Sequence, residues 1–99
     1  MGEVVFRPRA ESDVLLQIEY YENKHIGLGG DFYICLQDAV SSIETSPLLS
    51  SVVHKNIRRK LIRRFPFAIY FIANPDKTYV LRVLNQSRNP AIIRKLAGI

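Results

Sequence analysis

The chain has 99 residues, of which 47% are hydrophobic, and it carries a single cysteine. This length and composition suit one domain, spanning residues 1–99, whose core needs no metal ion or disulfide. The longest uncharged apolar run, residues 65–73, is too short to cross a bilayer, and residues 1–13 are charged where a secretion signal would be apolar. We therefore expect a cytoplasmic protein that does not enter membranes.

Charge is distributed unequally along the chain. Residues 1–50 contain three basic and eight acidic residues, a net charge of −5, whereas residues 51–99 contain eleven basic residues and one acidic residue, a net charge of +10. An asymmetry of this kind is typical of a protein with a polyanionic or acidic partner. The alternative is a solvated basic face without a partner, on which the like charges would repel each other.

The first half of the sequence predicts a strand and two helices. The β-branched residues of Val4–Pro8 favour a strand that ends at the proline. Apolar residues at helical spacing then predict one helix from Arg9 to about Asn23 and another from about Asp31 to Thr45. Between them, the glycine-rich sequence KHIGLGGD is expected to reverse the chain, with Asp31 as the cap of the second helix. The two helices would form an antiparallel hairpin.

The second half predicts strands, after residues 45–54 as a connection. Their expected positions are about Lys55–Arg63, Phe67–Ala73 and Thr78–Asn85. The sequence NPDK between the last two strands favours a tight turn, because proline presets the first central φ angle of such a turn. A short C-terminal helix is expected at the end, with Asn89 as its cap, Pro90 in its first position and Gly98 beyond its last turn.

This order of elements indicates an α+β domain. Its N-terminal strand and two-helix hairpin would pack on one face of a mostly antiparallel sheet of about four strands, with a short C-terminal helix after the last strand. The strand Phe67–Ala73 is apolar at both alternating sets of positions, so both faces of the sheet should be covered. Either the C-terminal helix folds back over the second face or a partner chain covers it.

The main chemical feature is a cluster of cations directly before the most apolar strand. The predicted target-binding residues, expected along one edge of the sheet, are Arg58, Arg59, Lys60, Arg63, Arg64, Arg82, Arg88 and Arg94. Guanidinium groups pair with phosphate or carboxylate, so the cluster suits a nucleic-acid backbone or an acidic protein segment. No metal or other cofactor is expected, because His25 and His54 lie in separate loops without other ligands at metal-binding spacing.

Residues 57–72, IRRKLIRRFPFAIYFI, and residues 80–90, VLRVLNQSRNP, resemble the toxins of the RelE/ParE superfamily. These are the small basic toxins of bacterial type II toxin-antitoxin, or plasmid-stabilisation, modules. Residues 6–24, FRPRAESDVLLQIEYYENK, also resemble the opening strand and first helix of the family. The resemblance implies an α+β toxin that a cognate antitoxin neutralises. The disordered tail of that antitoxin would fold, as helix or strand, in an apolar groove beside the cationic strand.

The chain is more similar to the ParE branch, whose toxins act on DNA gyrase, than to the RelE branch, whose toxins cut messenger RNA in the ribosome. Such cleavage needs a base, an acid and cations. Ala68 stands where RelE-type enzymes carry an arginine, and the tail after Arg88 has no Tyr or His. On the ParE side, relatives often have His where this chain has Asn85. The resemblance thus implies gyrase inhibition without catalysis.

The alternatives are a ribosome-dependent endoribonuclease and a toxin-derived binding module without toxicity. The candidate catalytic residues of the ribonuclease are Arg59, Lys60, Tyr79 and Arg88.

Overall fold

The computed structural model of the chain describes residues 3–87 and 90–97. Its elements are strand β1 (Glu3–Phe6), helices α1 (Pro8–Lys24) and α2 (Leu28–Thr45), a 3-10 turn (Pro47–Leu49), strands β2 (Ser51–His54), β3 (Ile57–Leu61), β4 (Phe67–Ala73) and β5 (Lys77–Asn85), and helix α3 (Pro90–Ala97). No helix in these ranges is long and apolar enough to span a membrane. Three positions that carry predictions, Arg88, Asn89 and Gly98, lie outside the described residues.

The five strands form one mixed sheet in the order β1-β5-β4-β3-β2. β1 runs parallel to β5, and the remaining neighbours are antiparallel. The predicted hairpin between β4 and β5 is confirmed, and the N–H of Asn74 closes it by donating to the carbonyl of Lys77 at 2.9 Å. The predicted α+β class, with a helical hairpin on a mostly antiparallel sheet, is confirmed as well.

Strand β2 is an addition to the predicted sheet of about four strands. It has four residues, its register with β3 shifts between Val52 and His54, and its valines are exposed. A strand this short, without alternation of buried and exposed residues, leaves little pattern in the sequence. Since β2 lies outside β3, the cationic strand is the second strand of the sheet, and its predicted position at the edge is wrong.

Helices α1 and α2 cover one face of the sheet, here called the hairpin face. Four aromatic rings, those of Tyr21, Phe32, Phe65 and Phe67, pack there with centroids 4.9 to 6.3 Å apart. Aromatic pairs at such distances contribute about 0.5 to 1.5 kcal/mol beyond their burial. Of the apolar positions at helical spacing, Ile18, Tyr21 and Val40 are half-buried against this core, and the others are buried: Ala10, Val14, Phe32, Leu36, Ala39 and Ile43.

Helix α2 begins three residues before Asp31, because its cap comes from α1. The Glu22 carboxylate accepts hydrogen bonds from the N–H groups of Gly27, at 3.0 Å, and Gly29, at 3.1 Å. Gly27 has a φ of 90°, which favours glycine. A Cβ on Gly29 would lie 2.6 Å from the carbonyl oxygen of Ile18, so this glycine permits the close approach of the helices. The predicted capping by Asp31 is therefore wrong.

Helix α3 folds back over the other face of the sheet, here called the α3 face. Ile93 and Leu96 are each 8% exposed and pack in a second core cluster with Ile57, Tyr70 and Leu84. Of the two predicted ways to cover this face, the terminal helix is the one observed. The apolar surface beside the cationic strand is consequently filled by the chain itself, and the expectation that it stays open as a groove for an antitoxin tail is wrong.

Candidate functional site

The cations of β3 are divided between the two faces of the sheet, because side chains alternate along a strand. Lys60 lies opposite Ile69 of the aromatic core, so Lys60 and Arg58 share the hairpin face. Arg59 lies opposite Tyr70, whose side chain belongs to the α3 cluster. The cations that are consecutive in the sequence are therefore divided between the two faces of the sheet.

Three of the predicted target-binding cations form hydrogen bonds or ion pairs within the fold. Arg58 donates to two carbonyls in the connection before β2, at 2.7 and 3.2 Å. In the loop after β3, Arg63 pairs with Asp38 of α2 at 2.9 Å, and Arg64 with Asp31 at 3.7 Å. Such exposed pairs contribute less than about 1 kcal/mol each. They nevertheless compensate much of the charge of this loop.

Arg82 is part of a largely buried ion pair. Its Nε and Nη2 donate to the carboxylate of Asp13 at 2.7 and 3.0 Å, and the two side chains are 14% and 13% exposed. The same carboxylate accepts the N–H of Val83 at 2.9 Å, where β5 extends beyond its pairing with β1. The hydrogen bond to Asp13 raises the pKa of Arg82, so the guanidinium stays charged. This geometry gives Arg82 a structural role between α1 and β5.

Two cations without carboxylate partners, Arg59 and Arg94, meet at a cavity of about 310 Å³ on the α3 face. Arg59 lines it from β3, Arg94 from α3 and His54 from the end of β2. Neither arginine forms an ion pair within residues 3–87 and 90–97. We call this cavity the cationic pocket, defined by Val53, His54, Arg59, Tyr70, Gln86, Ile93 and Arg94.

Tyr70 adds an unpartnered hydroxyl to the cationic pocket. Its side chain is 3% exposed, and its hydroxyl makes no hydrogen bond with any described residue. Among the described residues, no side-chain oxygen that lacks a hydrogen-bond partner is fully buried. The unpaired hydroxyl of Tyr70 is therefore part of the small surface that this side chain exposes. Because Tyr70 lines the cavity, its phenol is available to a bound ligand, and the amide of Gln86 offers a further donor and acceptor.

The candidate ribonuclease residues are not gathered in the cationic pocket. Lys60 lines another cavity, of about 650 Å³, between β3 and the hydroxyl-rich end of α2, and Arg59 borders both cavities. Tyr79 lies on β5 beside Arg7, whose guanidinium carbon is 5.3 Å from its ring centroid. Of this set, the described structure therefore brings Arg59 alone into the pocket, while Arg88 is outside the described residues.

The sequence does not point to three polar members of the pocket, His54, Tyr70 and Gln86. His54 is expected in a loop and Tyr70 lies in an apolar strand, and neither position suggests a site. The strand register places Tyr70 opposite Arg59, and this pairing leaves no local pattern in the sequence. Within the described ranges, no three His, Cys, Asp or Glu side chains are grouped as a metal site.

No family model and no curated protein matches the chain. Among solved structures, it is similar to a chain of one described as "Chromosomal ParDE TA system from P. aeruginosa". The TM-score is 0.73 and the sequence identity 16%, and the alignment covers 86% of this chain and 96% of that chain. At this identity the similarity is one of fold. It agrees with the α+β fold that the resemblance implies.

Proposed function

We propose that the chain is the toxin of a bacterial type II toxin-antitoxin module and acts in the cytoplasm as a single domain. The observation that carries the proposal is the similarity of fold to the ParDE structure, which extends over nearly the whole of that chain. The residues that resemble the superfamily, 57–72 and 80–90, support the same function. The net charge of +10 in residues 51–99 adds a reason to expect an acidic protein partner.

The proposed antitoxin neutralises the toxin by folding on its surface. Ordering a disordered tail costs about 2 to 5 kcal/mol, so the tail must bury apolar surface as well as pair charges. Because α3 already occupies the apolar surface beside the cationic strand, the tail either displaces α3 or binds elsewhere. Its carboxylates would face the cations that have no intramolecular partner.

The proposed target of the free toxin is DNA gyrase, which it inhibits by binding through the cationic pocket. Purified protein should inhibit gyrase in a supercoiling assay or trap cleaved DNA. Replacing Arg59 and Arg94 by Glu should raise the inhibitory concentration at least about tenfold, since two favourable contacts become repulsive. Lys77→Glu is the control, because Lys77 is an exposed cation that already has a partner in Glu3. Undiminished supercoiling with the wild-type protein contradicts this target.

A second candidate activity is ribosome-dependent cleavage of messenger RNA, which the composition of the cationic pocket favours. In such cleavage a base takes the proton of a ribose 2′-hydroxyl, the 2′-oxygen attacks the adjacent phosphorus, and an acid protonates the leaving 5′-oxygen. His54 and Tyr70 are groups able to transfer those protons, and Arg59 and Arg94 would stabilise the charged phosphorane. These residues replace most of the set expected from the sequence.

Translating ribosomes distinguish the two activities. If the chain is a ribonuclease, it cuts messages, and His54→Gln slows cutting by about a hundredfold or more, as loss of a general base or acid does. Lys77→Glu should cut normally. Intact messages exclude this candidate. Normal growth when the chain is induced alone would contradict both activities and favour a binding module without toxicity.

A further inference from the structure

A second cavity lies on the α3 face, on the side of α3 that is nearer β1. Its volume is about 260 Å³, and its apolar wall is formed by Ile72 of β4, Leu81 of β5 and Leu96 of α3. Arg7 and Arg9 line it from the junction of β1 and α1. The cavity therefore has an apolar wall with cations beside it. An apolar side chain that is flanked by carboxylates would find both kinds of contact there.

Arg7 and Arg9 have no carboxylate partner within residues 3–87 and 90–97. The third arginine at the cavity, Arg82, is already paired with Asp13. Arg7 is held in place, since its N–H donates to the carbonyl of Val80 at 2.9 Å and its guanidinium lies over the ring of Tyr79. One of the two free charges is thus pre-positioned.

The position of these arginines is unfavourable without an anion. Arg7 is the N-cap of the 17-residue helix α1 and Arg9 lies in its first turn, where Glu11 is the acidic residue, yet no side chain caps this end by a hydrogen bond. The N-terminus of a helix carries a partial positive charge, so cations there are destabilising and carboxylates are stabilising. An anionic partner at this point would compensate two arginines and the helix end together.

The size of the cavity limits what can enter it. Pockets for drug-sized ligands usually measure about 300 to 1,000 Å³, so about 260 Å³ suits a single large side chain better than a whole ligand. We propose that this cavity is the anchor site for an acidic segment of the antitoxin, in which one large apolar side chain enters between Ile72, Leu81 and Leu96 while flanking carboxylates pair with Arg7 and Arg9. The identity of the partner rests on the proposed function, whereas the chemistry of the site does not.

The test is fluorescence anisotropy with the purified full chain and a labelled peptide in which two aspartates flank one leucine on each side. The same peptide with alanine in place of leucine should bind at least about tenfold more weakly, because most of the buried apolar area is lost. Arg7→Glu combined with Arg9→Glu should weaken binding by a similar factor or more. Arg7→Gln with Arg9→Gln, which removes charge without reversing it, is the backup should the first variant fail to fold.

The charge-matched control combines Arg63→Glu with Arg64→Glu, since both arginines pair with acidic residues of α2 and lie outside the cavity. Equal affinity for the leucine and alanine peptides, equal weakening in the control, or no binding overturns the anchor site. Leucine-dependent binding by a chain that does not arrest growth would leave the site standing and contradict the toxin function. Growth arrest without leucine-dependent binding would contradict the anchor site and leave the toxin function standing.

Discussion

The two faces of the sheet differ in how their charges are compensated. Arg63, Arg64 and Arg82 each have a carboxylate partner on α1 or α2, and of these Arg82 also borders a cavity of the α3 face. On the α3 face, Arg59 and Arg94 have none among the described residues, and they line a cavity together with an unpartnered phenol. The same residue type is therefore structural on one face and available for binding on the other.

The difference teaches that cation density in a sequence overstates the binding surface. Acidic residues of the N-terminal half, Asp13, Asp31 and Asp38, are placed on helices that fold against the basic half and compensate part of its charge. The arginines Arg7, Arg9, Arg59 and Arg94, which line the cavities of the α3 face, have no carboxylate partner among the described residues. Changes to the arginines paired with α1 or α2 should accordingly alter stability, whereas changes to these unpaired arginines should alter binding.

The largest stability effect is expected from Asp13→Ala. It leaves the largely buried guanidinium of Arg82 without a partner and the N–H of Val83 without an acceptor. Breaking a buried pair in this way costs about 3 to 5 kcal/mol, and the partial exposure of this pair favours the lower value. The free energy of unfolding from urea denaturation is the measurement. The matched control is Asp38→Ala, which breaks an exposed pair and should cost less than about 1 kcal/mol. Equal costs would remove the distinction between structural and free arginines.

A smaller effect is expected where the two helices of the hairpin approach each other. Gly29→Ala places a Cβ 2.6 Å from a carbonyl oxygen of α1, so it should destabilise by about 1 to 3 kcal/mol. Gly30→Ala meets no atom within 4 Å and should stabilise by up to about 1 kcal/mol, because alanine is the better helix former. Thermal unfolding of the two variants gives opposite shifts in Tm. Shifts of the same sign would contradict the close approach of α1 and α2 at Gly29.

The features that sequence predicts well are those with local causes. Helical spacing locates α1 and α2, and the turn residues of NPDK locate the β4–β5 hairpin. The start of α2 could not be predicted, since its capping carboxylate, Glu22, belongs to another helix. The same holds for the site: Arg82 and Asp13 are 69 residues apart in sequence, and Tyr70 joins Arg59 only through the strand register. Pairing between distant segments decides which cations remain free.

The alkaline stability of the hairpin face should depend on Tyr21. Burial, with a smaller contribution from Tyr20, raises the pKa of Tyr21 above 10.0. The folded state then holds this proton more tightly than the unfolded state, so the contribution is fully present below pH 10 and is lost as pH rises above it. Between pH 8 and pH 11, Tyr21→Phe should lose less stability to urea than the wild-type protein does. Identical losses would mean that Tyr21 has the same proton affinity in both states.

The smallest effect on stability is expected from Tyr70→Phe on the α3 face. This variant should nevertheless change the activity of the protein. Because the hydroxyl has no partner among the described residues, its removal breaks no hydrogen bond and should change the free energy of unfolding by less than about 0.5 kcal/mol, in either direction. If the cationic pocket is the working site, the same variant should lose potency in whichever assay, supercoiling or message cleavage, responds to the wild-type protein. A loss of stability above about 1 kcal/mol would show that the phenol is bonded within the fold. In that case the hydroxyl of Tyr70 would be satisfied within the fold and would not be available to a ligand, which would contradict its role in the cationic pocket.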